Sequence, residues 1–328
     1  MDIHELFAAF GHLKVLVIGD VMLDSYVWGK VERVSPEAPV PVLNVLKREY
    51  RLGGAGNVLL NVQSLGAEAI ICTVIGDDRE GELLENELIV RGLSCAGVIK
   101  SKTRITTIKE RIIASSQQIV RVDTETDQLI TEKESSDLLH IIEKLLPKCD
   151  VVIFEDYDKG VLDEDLIRQV TDLALKAGIP TVVDPKKRNF LSYKKTTLFK
   201  PNLKELKEGL KAEFNPDNVE SLENIVQLLK DTLQVDGAMI TMSERGVYID
   251  YDNEKHHLPA HVRHIADVSG AGDTVISIAA CCLAIGLPSR QIAALSNLGG
   301  GLVCEKVGVV PIEKERLIAE ALRLSVIQ

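Results

Sequence analysis

The sequence predicts an α/β fold: a mainly parallel central sheet with helices on both faces, plus a small separate β-sheet. Three observations carry this expectation. From Glu132 onward, stretches of helical spacing alternate regularly with short apolar runs. Those runs are rich in β-branched residues and lack polar alternation, as strands buried on both faces do. Several stop on a charged residue, as at Gly19-Asp20, Val183-Asp184 and Phe199-Lys200. Open α/β sheets bind ligands beyond the carboxyl ends of their strands, so these stops also mark where a site would lie.

Taken in order, Lys14 to Gly19 reads as the first buried strand, with Asp20 and Asp24 just past its end. Tyr26 to Val31 and Pro41 to Arg51 alternate like strands around the proline-rich link Ser35 to Pro41. They break the β-then-helix order and are assigned to the small sheet. Gly53-Gly54-Ala55-Gly56-Asn57 opens a helical stretch from Val58 to Leu65. Ala69 to Gly76 is the second buried strand and Asp78 to Gly92 the next helix. Thr103 to Ile113 and Gln118 to Asp123, joined at Ala114 to Gln117, complete the small sheet. It forms a lid from two insertions, about residues 25–51 and 101–123, on a single domain spanning 1–328.

Helix Glu132 to Leu146 and strand Val151 to Phe154 follow. Helix Asp163 to Ala177 is closed by Gly178 and Pro180. Strands at Thr181 to Val183, Thr197 to Phe199 and Ala238 to Thr241 alternate with helices at Leu203 to Lys211 and Val219 to Leu233. Gly246 to Tyr251 and Lys255 to Leu258 read as an edge hairpin around Asp252-Asn253. Helices Gly270 to Gly286, Ser289 to Glu305 and Glu313 to Leu324 finish the chain.

The 328 residues, 45% hydrophobic, suit one large domain with a full core. A net charge of −11 argues against a nucleic-acid binder but leaves room for a nucleotide in a local basic pocket. Met1 to Gly11 lacks the basic start and apolar run of a signal peptide. No apolar run reaches the ~20 residues of a membrane helix, so a cytoplasmic protein without membrane insertion is expected. Cys72, Cys95, Cys149, Cys281, Cys282 and Cys304 contain no Cys-x-x-Cys pair and read as buried thiols. His256, His257, His261 and His264 look like a metal cluster, but Pro259 keeps them off one helical face and no acid or thiol completes the set.

The stretch Asp267-Val268-Ser269-Gly270-Ala271-Gly272-Asp273 carries the chemistry. Glycines at a helix start leave backbone N–H groups open to an anion. A carboxylate beside such a site would repel a phosphate unless it acts as a base on the attacking hydroxyl. The competing reading is a glycine-rich turn in which Asp273 only stabilises the first helical turn.

With these motifs in order, the chain resembles the ribokinase-like (PfkB-type) sugar kinases over essentially its full length. Gly53 to Asn57 is similar to the family's N-terminal glycine signature, Asp267 to Asp273 to its C-terminal one, and Asn202-Leu203-Lys204-Glu205 to its Asn-x-x-Glu element. Asp20 and Asp24 match its early acids. Thr241-Met242-Ser243-Glu244-Arg245-Gly246 departs from the commoner Thr-x-Gly-x-x-Gly at Ser243. Ser35 to Pro41, Asp156 to Gly160, Asp184-Pro185-Lys186 and Asn297 to Val303 look like the branch acting on D-glycero-β-D-manno-heptose 7-phosphate. The chain resembles a stand-alone kinase of that branch, or the kinase half of a two-domain enzyme whose nucleotidyltransferase half is not expected here.

The resemblance implies ATP and Mg²⁺ as cofactors and phosphorylation of the anomeric hydroxyl of the heptose in lipopolysaccharide precursor synthesis of bacteria. Asp273 would be the base, with Gly270, Ala271 and Gly272 receiving the phosphoryl oxygens. Asp20, Asp24, Gly53, Gly54 and Asn57 would meet sugar hydroxyls. Lys159, Asp184, Lys186 and Arg111, with Arg104, are candidates around the substrate phosphate. Asn202, Leu203, Lys204, Glu205, Thr241, Ser243, Gly246 and Asn297 would face the nucleotide, with Asn202 and Glu205 holding the metal mostly through water. Arg245 is a weaker phosphate candidate. Val40, Val42 and Val45 suggest a homodimer through the lid. A fructose-phosphate kinase and a non-catalytic nucleotide binder are the alternatives. A Walker enzyme and a Rossmann dehydrogenase are disfavoured, because neither G-x-x-x-x-G-K-[ST] nor a G-x-G-x-x-G after the first strand occurs.

Overall fold

In the computed structural model, which describes residues 2–114, 117–261 and 263–327, the C-terminal ends of seven neighbouring parallel strands line up along one edge of a sheet. The chain starts with α1 (Ile3–Phe10), which the sequence reading missed although Asp2 and Glu5 form a capping box around its start. Then come β1 (Lys14–Gly19), β2 (Val21–Val34), β3 (Pro41–Gly54), α2 (Ala55–Leu65), β4 (Glu68–Gly76), α3 (Arg79–Val90) and β5 (Val98–Ser101). β6 (Ile108–Ala114), β7 (Gln117–Thr124), α4 (Glu132–Leu145), β8 (Val151–Glu155), α5 (Glu164–Ala177), β9 (Thr181–Asp184) and β10 (Leu198–Phe199) follow. The last elements are α6 (Leu203–Leu210), α7 (Val219–Leu233), β11 (Gly237–Thr241), β12 (Val247–Tyr251), β13 (Glu254–Leu258), α8 (Ala271–Ala284), α9 (Ser289–Val303) and α10 (Lys314–Arg323).

The large sheet runs β13-β12-β11-β10-β9-β8-β1-β4-β5. All neighbours are parallel except β11, β12 and β13, which form the antiparallel edge. Asp252 (φ 54°) and Asn253 (φ 59°) give the hairpin a turn with two left-handed residues, which matches strand twist. Strand periodicity splits the core. On β1, Val15 and Val17 join the apolar layer beneath α2, α8 and α9, while Leu16 and Ile18 join the one beneath α4, α5 and α7.

The second sheet is four-stranded, β3-β2-β6-β7. β2 begins one residue after Asp20, so Asp24 is a lid-sheet residue rather than part of a loop. The expected strand from Thr103 starts only at Ile108. Thr106 and the residues before it are drawn off the ladder: Thr106 N–H donates to Asp78 Oδ2 (2.8 Å), and Gly76 N–H donates to Thr106 Oγ1 (2.9 Å). Upstream, Val98–Ser101, a strand not expected from the sequence, pairs with β4 at the sheet edge, so Ser101, the expected start of the second insertion, belongs to the large sheet. The turn expected between the strands of the second insertion, here β6 and β7, includes residues 115 and 116, which lie outside the described residues.

Candidate active site

Helix α8 begins on Gly270, whose φ of 81° is left-handed and whose absent side chain leaves the first turn without a side-chain cap. By contrast Asn202 caps α6, accepting from Glu205 N–H at 2.9 Å. A Cβ on Gly270 would also press on Asn57 Nδ2. The first turn of α8 therefore lacks a side-chain cap and opens beside Asp184 and Lys200, as a site for a phosphate with a nearby cation requires.

Asp273, in that first turn, is buried at 4% exposure. Asn57 of α2 donates to its Oδ2 (2.7 Å) and the Tyr157 hydroxyl, from just after β8, donates to its Oδ1 (2.8 Å). Asn57 is itself braced by Asn61, whose Nδ2 donates to the Asn57 carbonyl at 2.9 Å. Burial raises the Asp273 pKa above the usual aspartate value, against the two donors, which lower it. The result is a fixed carboxylate that is a stronger base than a solvated one.

Beside it, β8 ends in Glu155 and β9 in Asp184; one oxygen from each lies within 4.8 Å of the others and of Asp273. Lys200, just after β10, is 2% exposed and sets its Nζ 2.9 Å from Asp184 Oδ2. Lys186 Nζ is 2.9 Å from Glu205 Oε1, 3.9 Å from Asp184 Oδ1, and 5.2 Å from the centre of the Tyr157 ring. Burial opposes the charge on both lysines, yet the surrounding carboxylates hold their pKa values above the ordinary lysine value. Burial, together with Asp184 and Asp273, drives Glu155 well above the usual glutamate range.

A cleft of about 710 Å³ runs from these strand ends toward α9. It brings together Gly270, Ala271, Gly272, Asp273, Asp184, Lys186, Asn202, Glu205, Thr241, Ser243, Gly246 and Asn297 from the sequence expectations. Ser243 keeps a left-handed φ of 53°, so the turn preserves the conformation that glycine would favour there. The glycines of α9 divide. A Cβ on Gly299 would overlap Ile278, and one on Gly300 would press on Val275, so both permit close helix packing; Gly300 and Gly301 also line the cleft.

Other expected residues sit elsewhere. Asp20 is not free for a ligand: its carboxylate accepts from the backbone N–H groups of Tyr157 (2.9 Å), Lys159 (3.0 Å) and Val161 (3.0 Å). It shapes the loop that carries Tyr157. Lys159 Nζ is 2.9 Å from Glu125 rather than turned to the cleft. Lys204 is exposed and Leu203 packs on the core; neither lines the cleft. Arg245 pairs with Asp217 at 2.7 Å, on the surface. Arg104 is off the lid strands and donates to the Lys159 carbonyl at 2.6 Å.

Asp24, Arg111, Gly53 and Gly54 form a separate corner beside Asn57 and Tyr157. Arg111 and Asp24 make an ion pair. A Cβ on Gly53 would overlap the Asp24 carboxylate, so glycine is required for that side chain to lie across β3. Gly54 (φ 59°) turns the chain into α2 against the Tyr157 ring.

The Asn202–Glu205 pair does not fit direct metal coordination. Glu205 Oε2 accepts from Asn202 N–H (2.9 Å) and Oε1 from Lys186 Nζ. Among the described residues, Glu155, Asp184 and Asp273 are the one group of metal-ligand type within mutual reach; the histidines form none. Tyr157, Lys200 and Glu155 were not expected as site residues. Lys200 and Glu155 had the same signal as Asp184, a charged residue closing a buried strand. Tyr157 had none beyond its neighbourhood.

Residues 12–315 match the pfkB family carbohydrate kinase profile. The chain is 39% identical over 317 residues to Bifunctional protein HldE of Syntrophotalea carbinolica, covering 96% of this chain and 64% of that protein. It is 40% identical over 294 residues to Bifunctional protein HldE of Wolinella succinogenes, covering 90% and 61%. The chain thus spans less than two thirds of the length of these relatives. Among solved structures, phosphofructokinase-2 from Escherichia coli in complex with potassium superposes with a TM-score of 0.77 at 18% identity, covering 95% of this chain and 99% of that one. Arabidopsis thaliana ribokinase complexed with ribose and ATP gives 0.70 at 16%, covering 93% and 98%. Among the described residues no helix is long and apolar enough to cross a membrane. Kinases of this kind take a sugar, ATP and a divalent metal. With the family profile matched over nearly the whole chain and the glycine-started helix and its carboxylate in one cleft, the chain belongs to the pfkB family of carbohydrate kinases.

Proposed function

We propose that this chain transfers the γ-phosphoryl group of ATP to the anomeric C1 hydroxyl of D-glycero-β-D-manno-heptose 7-phosphate, giving the 1,7-bisphosphate and ADP. The observation that carries the transfer is Asp273: a buried carboxylate gripped by Asn57 and Tyr157 beside the uncapped start of α8. Asp273 takes the hydroxyl proton while the oxygen bonds to the γ-phosphorus and the bond to the bridging oxygen of ADP breaks. The α8 amides hold the phosphoryl oxygens, and Lys200 and Lys186 offset their charge. The nucleotide lies toward Thr241, Ser243, Gly246 and Asn297. Asp24 and Asn57 orient sugar hydroxyls.

The heptose phosphate rests on the resemblance of Asp156 to Gly160, Asp184-Pro185-Lys186 and Asn297 to Val303, and on the likeness to Bifunctional protein HldE. The likeness to phosphofructokinase-2, at 18% identity, speaks to fold alone. A panel of free and phosphorylated sugars with coupled ADP detection tests the reading. The heptose 7-phosphate should turn over fastest; a preference for an unphosphorylated sugar or for fructose 6-phosphate would overturn the substrate. We also propose a homodimer through the lid, supported by exposed Val34, Val40, Val45, Leu46 and Val122 on its strands and their connection.

A further inference from the structure

We infer that Glu155, Asp184 and Asp273 form a site for direct divalent-cation ligation beside the cleft that Asp184 and Asp273 line, separate from the Asn202–Glu205 pair. Glu155 is completely buried, and neither of its carboxylate oxygens accepts a hydrogen bond from any described group. A buried carboxylate without partners is among the costliest arrangements a protein can hold, so it calls for a counter-ion or a proton. No lysine or arginine among the described residues reaches it: Lys200 is on Asp184 Oδ2 and Lys186 on Glu205.

The geometry supplies the rest. The three carboxylates each bring one oxygen within 4.8 Å of the others, so a small cation at their centre needs only slight adjustment. Asp184 Oδ1 is opposed only by Lys186 at 3.9 Å. The Asp273 oxygens each accept one hydrogen bond and keep a lone pair. An all-carboxylate set of this size suits a hard ion such as Mg²⁺ or Mn²⁺, with water or phosphate oxygens filling the open positions. Gly272 adds to the opening, since its Cα faces Asp184 with no side chain between. Asp273 can give one oxygen to the ion and keep the other for the proton. Glu155 is thus a ligand residue that the Asn-x-x-Glu motif does not contain.

The role in phosphoryl transfer rests on the kinase reading, but cation binding is measured without sugar or nucleotide and so stands apart from it. The full chain is titrated with Mn²⁺, following free Mn²⁺ by electron paramagnetic resonance, and with Mg²⁺ by calorimetry. The wild type should bind about one ion per chain. E155Q should weaken this at least tenfold while melting no lower than the wild type without metal, and E205Q should leave it within about twofold. Absence of nucleotide-free binding, an E155Q affinity equal to wild type, or loss of binding in E205Q would each overturn the site. If E155Q does not fold, E155S replaces it, and a failure of Mg²⁺ to raise the wild-type melting temperature overturns the site independently. A chain that binds Mn²⁺ through Glu155 yet ignores the heptose phosphate would keep this inference and sink only the substrate.

Discussion

The Tyr157 phenol donates to Asp273 Oδ1 across 2.8 Å, tying the loop behind β8 to the first turn of α8. Asp20, three loop amides and that phenol form one chain of contacts, so the backbone of residues 157–161 sets the direction of the base. The Tyr157 hydroxyl lowers the Asp273 pKa while burial raises it. Removing the hydroxyl in Y157F leaves the raising effect less opposed. The acidic limb of the kcat profile, where the base becomes protonated, should then move to higher pH, with kcat at neutral pH falling about tenfold. An unmoved limb would mean the phenol does not tune the base.

Asp273→Asn keeps the shape of the first turn but cannot accept a proton. Turnover should fall by about 10²–10⁴ while the ATP dissociation constant changes little, read by ADP release and by equilibrium titration. Near-normal turnover would remove Asp273 from the chemistry.

Gly53→Ala places a methyl group against the Asp24 carboxylate. The carboxylate must leave Arg111 or the strand must shift, at about 1–3 kcal/mol. KM for the sugar should rise more than kcat falls, and the melting temperature should drop. An unchanged KM would show that Asp24 does not face the acceptor.

Lys200→Met leaves Asp184 buried without its nearest partner. A loss of about 3–5 kcal/mol in urea unfolding is expected, because an uncompensated buried charge remains. The folded pKa of Lys200 is raised, so its contribution is complete below the unfolded lysine value and fades only as the pH rises through the folded one. The deficit of the variant against wild type should therefore be constant from neutral pH to about pH 10. A deficit that vanished near neutrality would contradict the pairing.

Val45→Asp with Leu46→Asp charges two exposed apolar positions of β3 (55% and 69% exposed). Sedimentation should move from dimer to monomer at micromolar concentration. A wild type already monomeric there would remove the lid interface.

The sequence by itself determined the sheet and much of the cleft. Short continuous apolar runs rich in β-branched residues read as strands buried on both faces, and Asp184, Lys200 and Thr241 sit where parallel strands end together, because parallel pairing puts all those ends on one side. Gly270 was legible because a helix start without a side-chain cap needs it. Only the tertiary structure decided which polar groups face a ligand and which face each other. Asp20 and Asp24 look alike in the sequence, but one is tied to loop amides and the other paired with Arg111 from a strand 87 residues away. Tyr157 and Asp273, 116 residues apart, meet because β8 and α8 pack together. Hydrogen bonds and ion pairs between such distant residues depend on distances of a few tenths of an ångström, and no local pattern of residues encodes those.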